Sequence, residues 1–210
     1  MLLESSTRAA PDTSTRMYDQ IVGAALVLLN GPPASGKSTL AERLVAVRPL
    51  ALNLDIDLIR GQLGGWLNQP TEAGLAARAL AISMIDTHLR SGRDVVVPQF
   101  VARPDFIEQL ERAAARADAS FVEIALQLPR EEAVSAFESR RRSPTSSTHQ
   151  NAADLVDLTN ATDPLGEMHD ALQLFLDERK SAHRINVVRG NIDSTLATLL
   201  HTLAECGANW

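Results

Sequence analysis

Ala24-Ala-Leu-Val-Leu-Leu-Asn30-Gly31-Pro-Pro-Ala-Ser-Gly36-Lys37-Ser38-Thr39-Leu-Ala-Glu-Arg-Leu44 decides the fold. It opens with an apolar run that ends at a glycine, the pattern of a buried parallel strand. It closes on a predicted helix from Ser38 to Val47, with Leu40, Leu44 and Val47 on one face. Between the two, Gly31 to Ser38 fits G-x-x-x-x-G-K-[ST] without exception. Typical residue frequencies give a chance match on the order of 1% in a chain of this length. The strand before and the helix after lower that further, so a bland Gly/Pro turn explains the stretch poorly.

Such a loop points its backbone N–H groups inward around phosphate oxygens, and the helix behind it adds the positive end of its dipole. Glycines give the special dihedrals and the close approach. Gly31, Pro32, Ala34, Ser35, Gly36, Lys37, Ser38 and Thr39 are therefore the predicted phosphate-binding residues. Lys37 is expected to bridge the β- and γ-phosphates of a nucleoside triphosphate, and the Ser38 hydroxyl to bind Mg²⁺. Thr39 adds a donor near the α-phosphate. ATP with Mg²⁺ is the expected ligand pair.

Outward from the loop, short apolar runs alternate with helical stretches. Ala51 to Asp57, Asp94 to Gln99, Phe121 to Leu128 and Arg184 to Val188 read as further strands. Leu58 to Trp66, Glu72 to Ser91, Pro104 to Ala117, Arg130 to Arg142, Asp163 to about Lys180 and Ile192 to Glu205 read as helices. Ser143 to Asn151, rich in Ser and Thr with a proline, reads as a loop. The alternation predicts an α/β fold of three layers around a five-stranded parallel sheet, with ligands at the carboxyl ends of the strands.

Composition bounds the rest. The 210 residues fit one domain over about 21–210, with 1–20 as a flexible tail rich in Ser, Thr, Arg and Asp. A net charge of -6 argues against a general nucleic-acid binder. No apolar run nears the roughly 18 residues of a membrane span. Cys206 is the single cysteine, which fits a reducing cytoplasm. The five histidines show no zinc-ligand spacing, and His149 is a weak candidate.

Three kinds of phosphate-loop protein compete. A GTPase needs N-K-x-D, and Asn160-Ala-Thr-Asp163 lacks the lysine. Asp163-Pro-Leu-Gly166 mimics D-x-x-G but follows no strand. A motor ATPase needs an apolar strand ending in Asp-Glu, and Val95-Val-Val97 ends in Pro98-Gln99. A kinase remains. Asn30 to Thr39, then Asp55-Ile-Asp57-Leu-Ile-Arg60, then Arg140 before a loop, resembles the small P-loop kinases. That group includes adenylate-, gluconate- and shikimate-kinase-like proteins, polynucleotide kinase domains, chloramphenicol phosphotransferase and zeta-toxin kinases. The resemblance covers about Ala24 to the end. It implies a nucleoside-kinase-like fold with a helical substrate region and an Arg-rich lid at about 140–165. It also implies that Asp57 takes the acceptor's proton and that Arg60 holds the substrate. Gln99 departs from members with an acidic residue there.

Read on their own, Asp55 and Asp57 sit two apart at a predicted strand end, so both carboxylates face one side. One serves as general base and the other orders Mg²⁺ through water; Asp57 is the better base and Asp55 the better metal helper. The competing reading makes Asp57 only the cap of the next helix. Arg60 binds an anionic substrate, steadies Asp57, or is simply solvated. Trp66, among Gly61, Gly64 and Gly65, is either an aromatic wall for the acceptor or a core residue. Gln99 and Arg103 lie on the ligand edge after the third strand. Arg140, Arg141 and Arg142 either close over the phosphates or only end a helix. The expected activity is transfer of the γ-phosphoryl group of ATP to a hydroxyl of a small molecule: a metabolite, a nucleoside-type compound or an antibiotic. A nucleotide-sugar kinase of the zeta-toxin kind and a non-catalytic nucleotide-binding regulatory module are the alternatives.

Overall fold

The computed structural model describes residues 23–208 and Trp210; the tail expected at 1–20 lies outside them. Five strands, β1 (Ala25–Asn30), β2 (Leu52–Asn53), β3 (Val95–Pro98), β4 (Ser120–Gln127) and β5 (His183–Asn186), form one sheet in the order β2-β3-β1-β4-β5. Every pairing is parallel. Among the described residues eight α-helices connect and cover them: α1 (Lys37–Ala46), α2 (Ile56–Gly61), α3 (Pro70–Arg90), α4 (Pro104–Arg116), α5 (Arg130–Arg142), α6 (Ser147–Asp157), α7 (Pro164–Glu178) and α8 (Ile192–Glu205).

The period-two alternation of β1 divides the core. Leu26 and Leu28 face a layer built from Ala77, Ala81 and Ile85 of α3 and Ile107 and Leu110 of α4. Ala25, Val27 and Leu29 face the other way, onto Leu40 and Leu44 of α1 and Leu199 and Leu203 of α8. A strand buried on both faces has no room for polar residues until it ends, and β1 ends at Asn30, which is fully buried. The three layers and the five parallel strands are those the sequence predicts.

Two local expectations fail. The second strand is only two residues long, because Asp55 caps a helix that begins at Ile56; its carboxylate accepts from the Asp57 N–H at 2.9 Å. Ser143 to Asn151 is not all loop. Ser146 caps α6 by accepting from the His149 N–H, so helix begins inside the Ser/Thr-rich stretch. Among the described residues no helix is long and apolar enough to cross a membrane.

Candidate functional site

The phosphate loop leaves β1 through a clamp. Asn30 Oδ1 accepts from the Gly31 N–H at 2.8 Å and from the Val101 N–H at 3.0 Å. Its Nδ2 donates to the Val101 carbonyl at 2.8 Å and to Glu123 at 3.2 Å. One buried amide thus joins the loop to the segment after β3 and to β4. At Gly31 a Cβ would lie 2.8 Å from Ser35 Oγ and 3.1 Å from the Leu126 carbonyl, so no larger residue fits this turn. Ala34 and Gly36 are left-handed, at φ 63° and 91°, and the loop alternates hand as anion-binding nests do.

The first helical bond of α1 runs from the Leu40 N–H to the Gly36 carbonyl. The amides of Lys37, Ser38 and Thr39 therefore precede the helix's own hydrogen bonding and are open to an anion. Ser35 differs from expectation: its N–H donates to the Pro32 carbonyl at 3.2 Å, closing the turn instead of reaching outward. Its hydroxyl is buried without a partner. Lys37 Nζ folds back onto the Gly31 and Pro32 carbonyls, at 3.0 and 2.8 Å. Burial, and then the charge of Arg140, lowers its pKa to about 7, against the opposing pull of Asp57 and Asp55.

Ala34, Gly36, Lys37, Ser38 and Thr39 line a cleft of about 1090 Å³ at the carboxyl ends of the strands, whereas Gly31, Pro32 and Ser35 do not border it. Lys37, Asp55, Asp57, Gln99, Arg103 and Arg140 all border it. Asp55 and Asp57 do meet there, but as cap and first turn of α2, not as alternate residues of a strand. The helix-capping role that the competing reading gave to Asp57 is taken by Asp55. Burial, and then Asp57, raises the pKa of Asp55. Among the described residues the Asp57 carboxylate has one ion-pair partner, Arg60, at 3.0 Å. Arg60 is buried, and its guanidinium lies 5.2 Å from the centre of the Trp66 ring. Trp66 is neither wall nor core: it does not border the cleft and braces Arg60 from behind. Gln99 donates its N–H to the Leu29 carbonyl and holds Oε1 buried without a partner.

The three arginines at the end of α5 diverge. Arg140 turns into the cleft, 5.2 Å from the Phe137 ring, and burial lowers its pKa. Arg141 pairs with Asp157 of α6 at 2.6 Å. Arg142 is exposed and borders nothing in the cleft. Residues that motif reading missed also border the site: Arg78 of α3, Glu167 of α7 and Arg189 after β5. Asn30 carried a signal, as the polar residue closing an apolar strand. Arg78 carried only the weak one of a lone charge in the stretch of α3 between Glu72 and Asp86.

A family model described as an AAA domain matches residues 26–165, which contain the loop, the acidic pair and the arginine helix. No curated protein matches the chain. Among solved structures, a candidate kinase from Chloroflexus aurantiacus J-10-fl superposes with a TM-score of 0.60 at 14% identity, covering 87% of this chain and 97% of that one. The tunicamycin resistance protein of Deinococcus radiodurans superposes with a TM-score of 0.57 at 13% identity, covering 86% and 96%. At such identities the likeness is one of fold. The chain belongs to this AAA-domain family of P-loop proteins, with the fold of the small P-loop kinases.

Proposed function

We propose that the protein is an ATP-dependent phosphotransferase acting on a hydroxyl of a small molecule. The observation that carries this reading is the meeting, in one cleft, of a phosphate-loop lysine, a carboxylate with a single ion-pair partner and an inward-turned lid arginine: Lys37, Asp57 and Arg140. Phosphoryl transfer asks little covalent chemistry of a protein; positioning and charge carry it. The amides of Lys37 to Thr39 would hold the triphosphate. The acceptor oxygen bonds to the γ-phosphorus as the bond to the ADP oxygen breaks, and the acceptor's proton passes to Asp57. Lys37 and Arg140 stabilise the charge that spreads over the transferring group.

The residues present also suit Mg²⁺. Among the described residues no group of three or more His, Cys, Asp or Glu could hold a metal alone. A hard cation that keeps its waters and takes phosphate oxygens needs only one or two protein ligands, and Ser38 and Asp55, which border the cleft, would supply them. When bound, the ion supplies neutralisation of phosphate charge.

A screen of hydroxyl compounds for ATP consumption, with mass spectrometry of the products, tests the reading. Turnover is expected for at least one class in the wild type and for none in Lys37→Ala. Equal rates in the two proteins would remove the proposal.

A further inference from the structure

Six cationic side chains border the cleft: Lys37, Arg60, Arg78, Arg103, Arg140 and Arg189. Among the described residues only three acids, Asp55, Asp57 and Glu167, oppose them. The whole chain carries -6, so this positive excess is local. Lys37 and Arg140 serve the triphosphate end. Arg60 and Arg78 come from α2 and α3 and Arg103 precedes α4; α3 packs against both α2 and α4, and all three arginines border the cleft with Asp57.

These three have donors to spare. Arg78 and Arg103 form no ion pair among the described residues, whereas Arg90, Arg112 and Arg116 on the same helices are paired. Arg78 lies 5.5 Å from the centre of the Phe106 ring, three residues along the chain from Arg103, and both arginines border the cleft. Arg60 is only 9% exposed; it gives Nη1 to Asp57 and leaves Nε and Nη2 buried with no partner. Buried polar groups are almost always satisfied, so an orphaned guanidinium edge beside a cleft points to an acceptor supplied from outside. A planar fork of N–H donors matches the paired oxygens of a carboxylate or phosphate.

Resting on the phosphotransferase reading, we propose that the acceptor is an anionic alcohol. Its oxyanion, a carboxylate or a phosphate, is held by Arg60, Arg78 and Arg103 while its hydroxyl faces Asp57. Phe100, Val156 and Met168 cover its carbon frame.

Trp66 reports on Arg60, and Trp210 lies beside Arg48, which does not border the cleft. In a Trp210→Phe background, with the loop filled by magnesium and a non-hydrolysable ATP analogue, sodium phosphate is titrated at constant ionic strength. Saturable change in Trp66 fluorescence is expected, weakened at least tenfold by the exposed pair Arg78→Ala plus Arg103→Ala. No saturable change, or one indifferent to both substitutions, would overturn the proposal. In a second arm, ADP release is measured with gluconate against glucose, ribose 5-phosphate against ribose, and glycerol 3-phosphate against glycerol. The charged members should lead by tenfold or more in kcat/KM and lose that lead in the double variant. A best substrate without charge, unaffected by the double variant, would equally overturn it. Saturable phosphate binding without any turnover would support the anion site and tell against the phosphotransferase reading alone.

Discussion

Lys37 bonds two carbonyls of its own loop with an amine whose pKa stands near 7, lowered by burial and Arg140. A triphosphate favours the charged form, so its binding raises that pKa and takes up a proton. The sign follows: affinity for Mg–ATP falls as pH rises above about 7, by up to tenfold per unit, until the pKa of the complex is passed. At pH 8 such an amine is about 90% neutral in the free protein, so uptake of about 0.9 proton per nucleotide is expected. Calorimetry in buffers of different ionisation enthalpy reads it, and Lys37→Met should remove it. Identical uptake in that variant would place the proton elsewhere. Asp57 has a different test. Asp57→Asn keeps its size and loses its basicity, and kcat should fall about 10²-fold or more with ATP affinity nearly unchanged. Asp55→Asn keeps a capping side chain and should instead weaken the Mg²⁺ dependence. Full activity in Asp57→Asn with none in Asp55→Asn would reverse the two roles.

The proposed lid belongs to the scale of the element, because α5 sends its last arginines to different places. Arg140→Ala should lower kcat about 10²-fold or more while changing the KM for ATP little, as befits a charge acting on the transition state. Arg142→Ala should change neither by more than about twofold. Arg141 ties α5 to Asp157, an exposed pair worth roughly 0.2–1 kcal/mol, so its loss should show in lid mobility before it shows in rate. Equal kinetic losses at all three positions would mean that they act only as a helix terminus. Sequence alone could place these arginines at a helix end but could not choose among them, since the choice depends on where α6 lies. The same limit explains the misread stretches. Ser and Thr before residue 147 serve loops and helix caps alike, and only the bond from the His149 N–H to Ser146 separates the two. The second strand looked longer because Leu54 and Ile56 continue its alternation; both are core residues, but Asp55 turns the chain between them. The phosphate loop was legible because its chemistry is local in sequence. The clamp made by Asn30 and the placement of Arg78 were not, because Val101, Glu123 and Phe106, on which they depend, lie on other elements.

Across the whole molecule, a buried polar chain runs from the phosphate loop through the sheet to the far helices. Gly31 and Val101 both donate to Asn30, Asn30 donates to Glu123, and Glu123 pairs with Arg179 at the end of α7, which also reaches Glu111 of α4. Glu123 is almost fully buried, and Arg179 is its ion-pair partner. Removing one member of a buried pair strands the other, whereas replacing both by apolar groups of similar size is often nearly neutral. Arg179→Met should therefore cost about 3–5 kcal/mol in urea unfolding with an unchanged m-value. Glu123→Leu added to Arg179→Met should recover at least about half of that loss, because no stranded carboxylate remains. Asn30 then loses one acceptor but keeps the Val101 carbonyl at 2.8 Å, so the loop stays anchored. A double variant less stable than Arg179→Met would show that Asn30 needs Glu123 more than Glu123 needs Arg179. In that case the chain holds the loop by the carboxylate itself, and the double variant should also bind Mg–ATP more weakly than Arg179→Met.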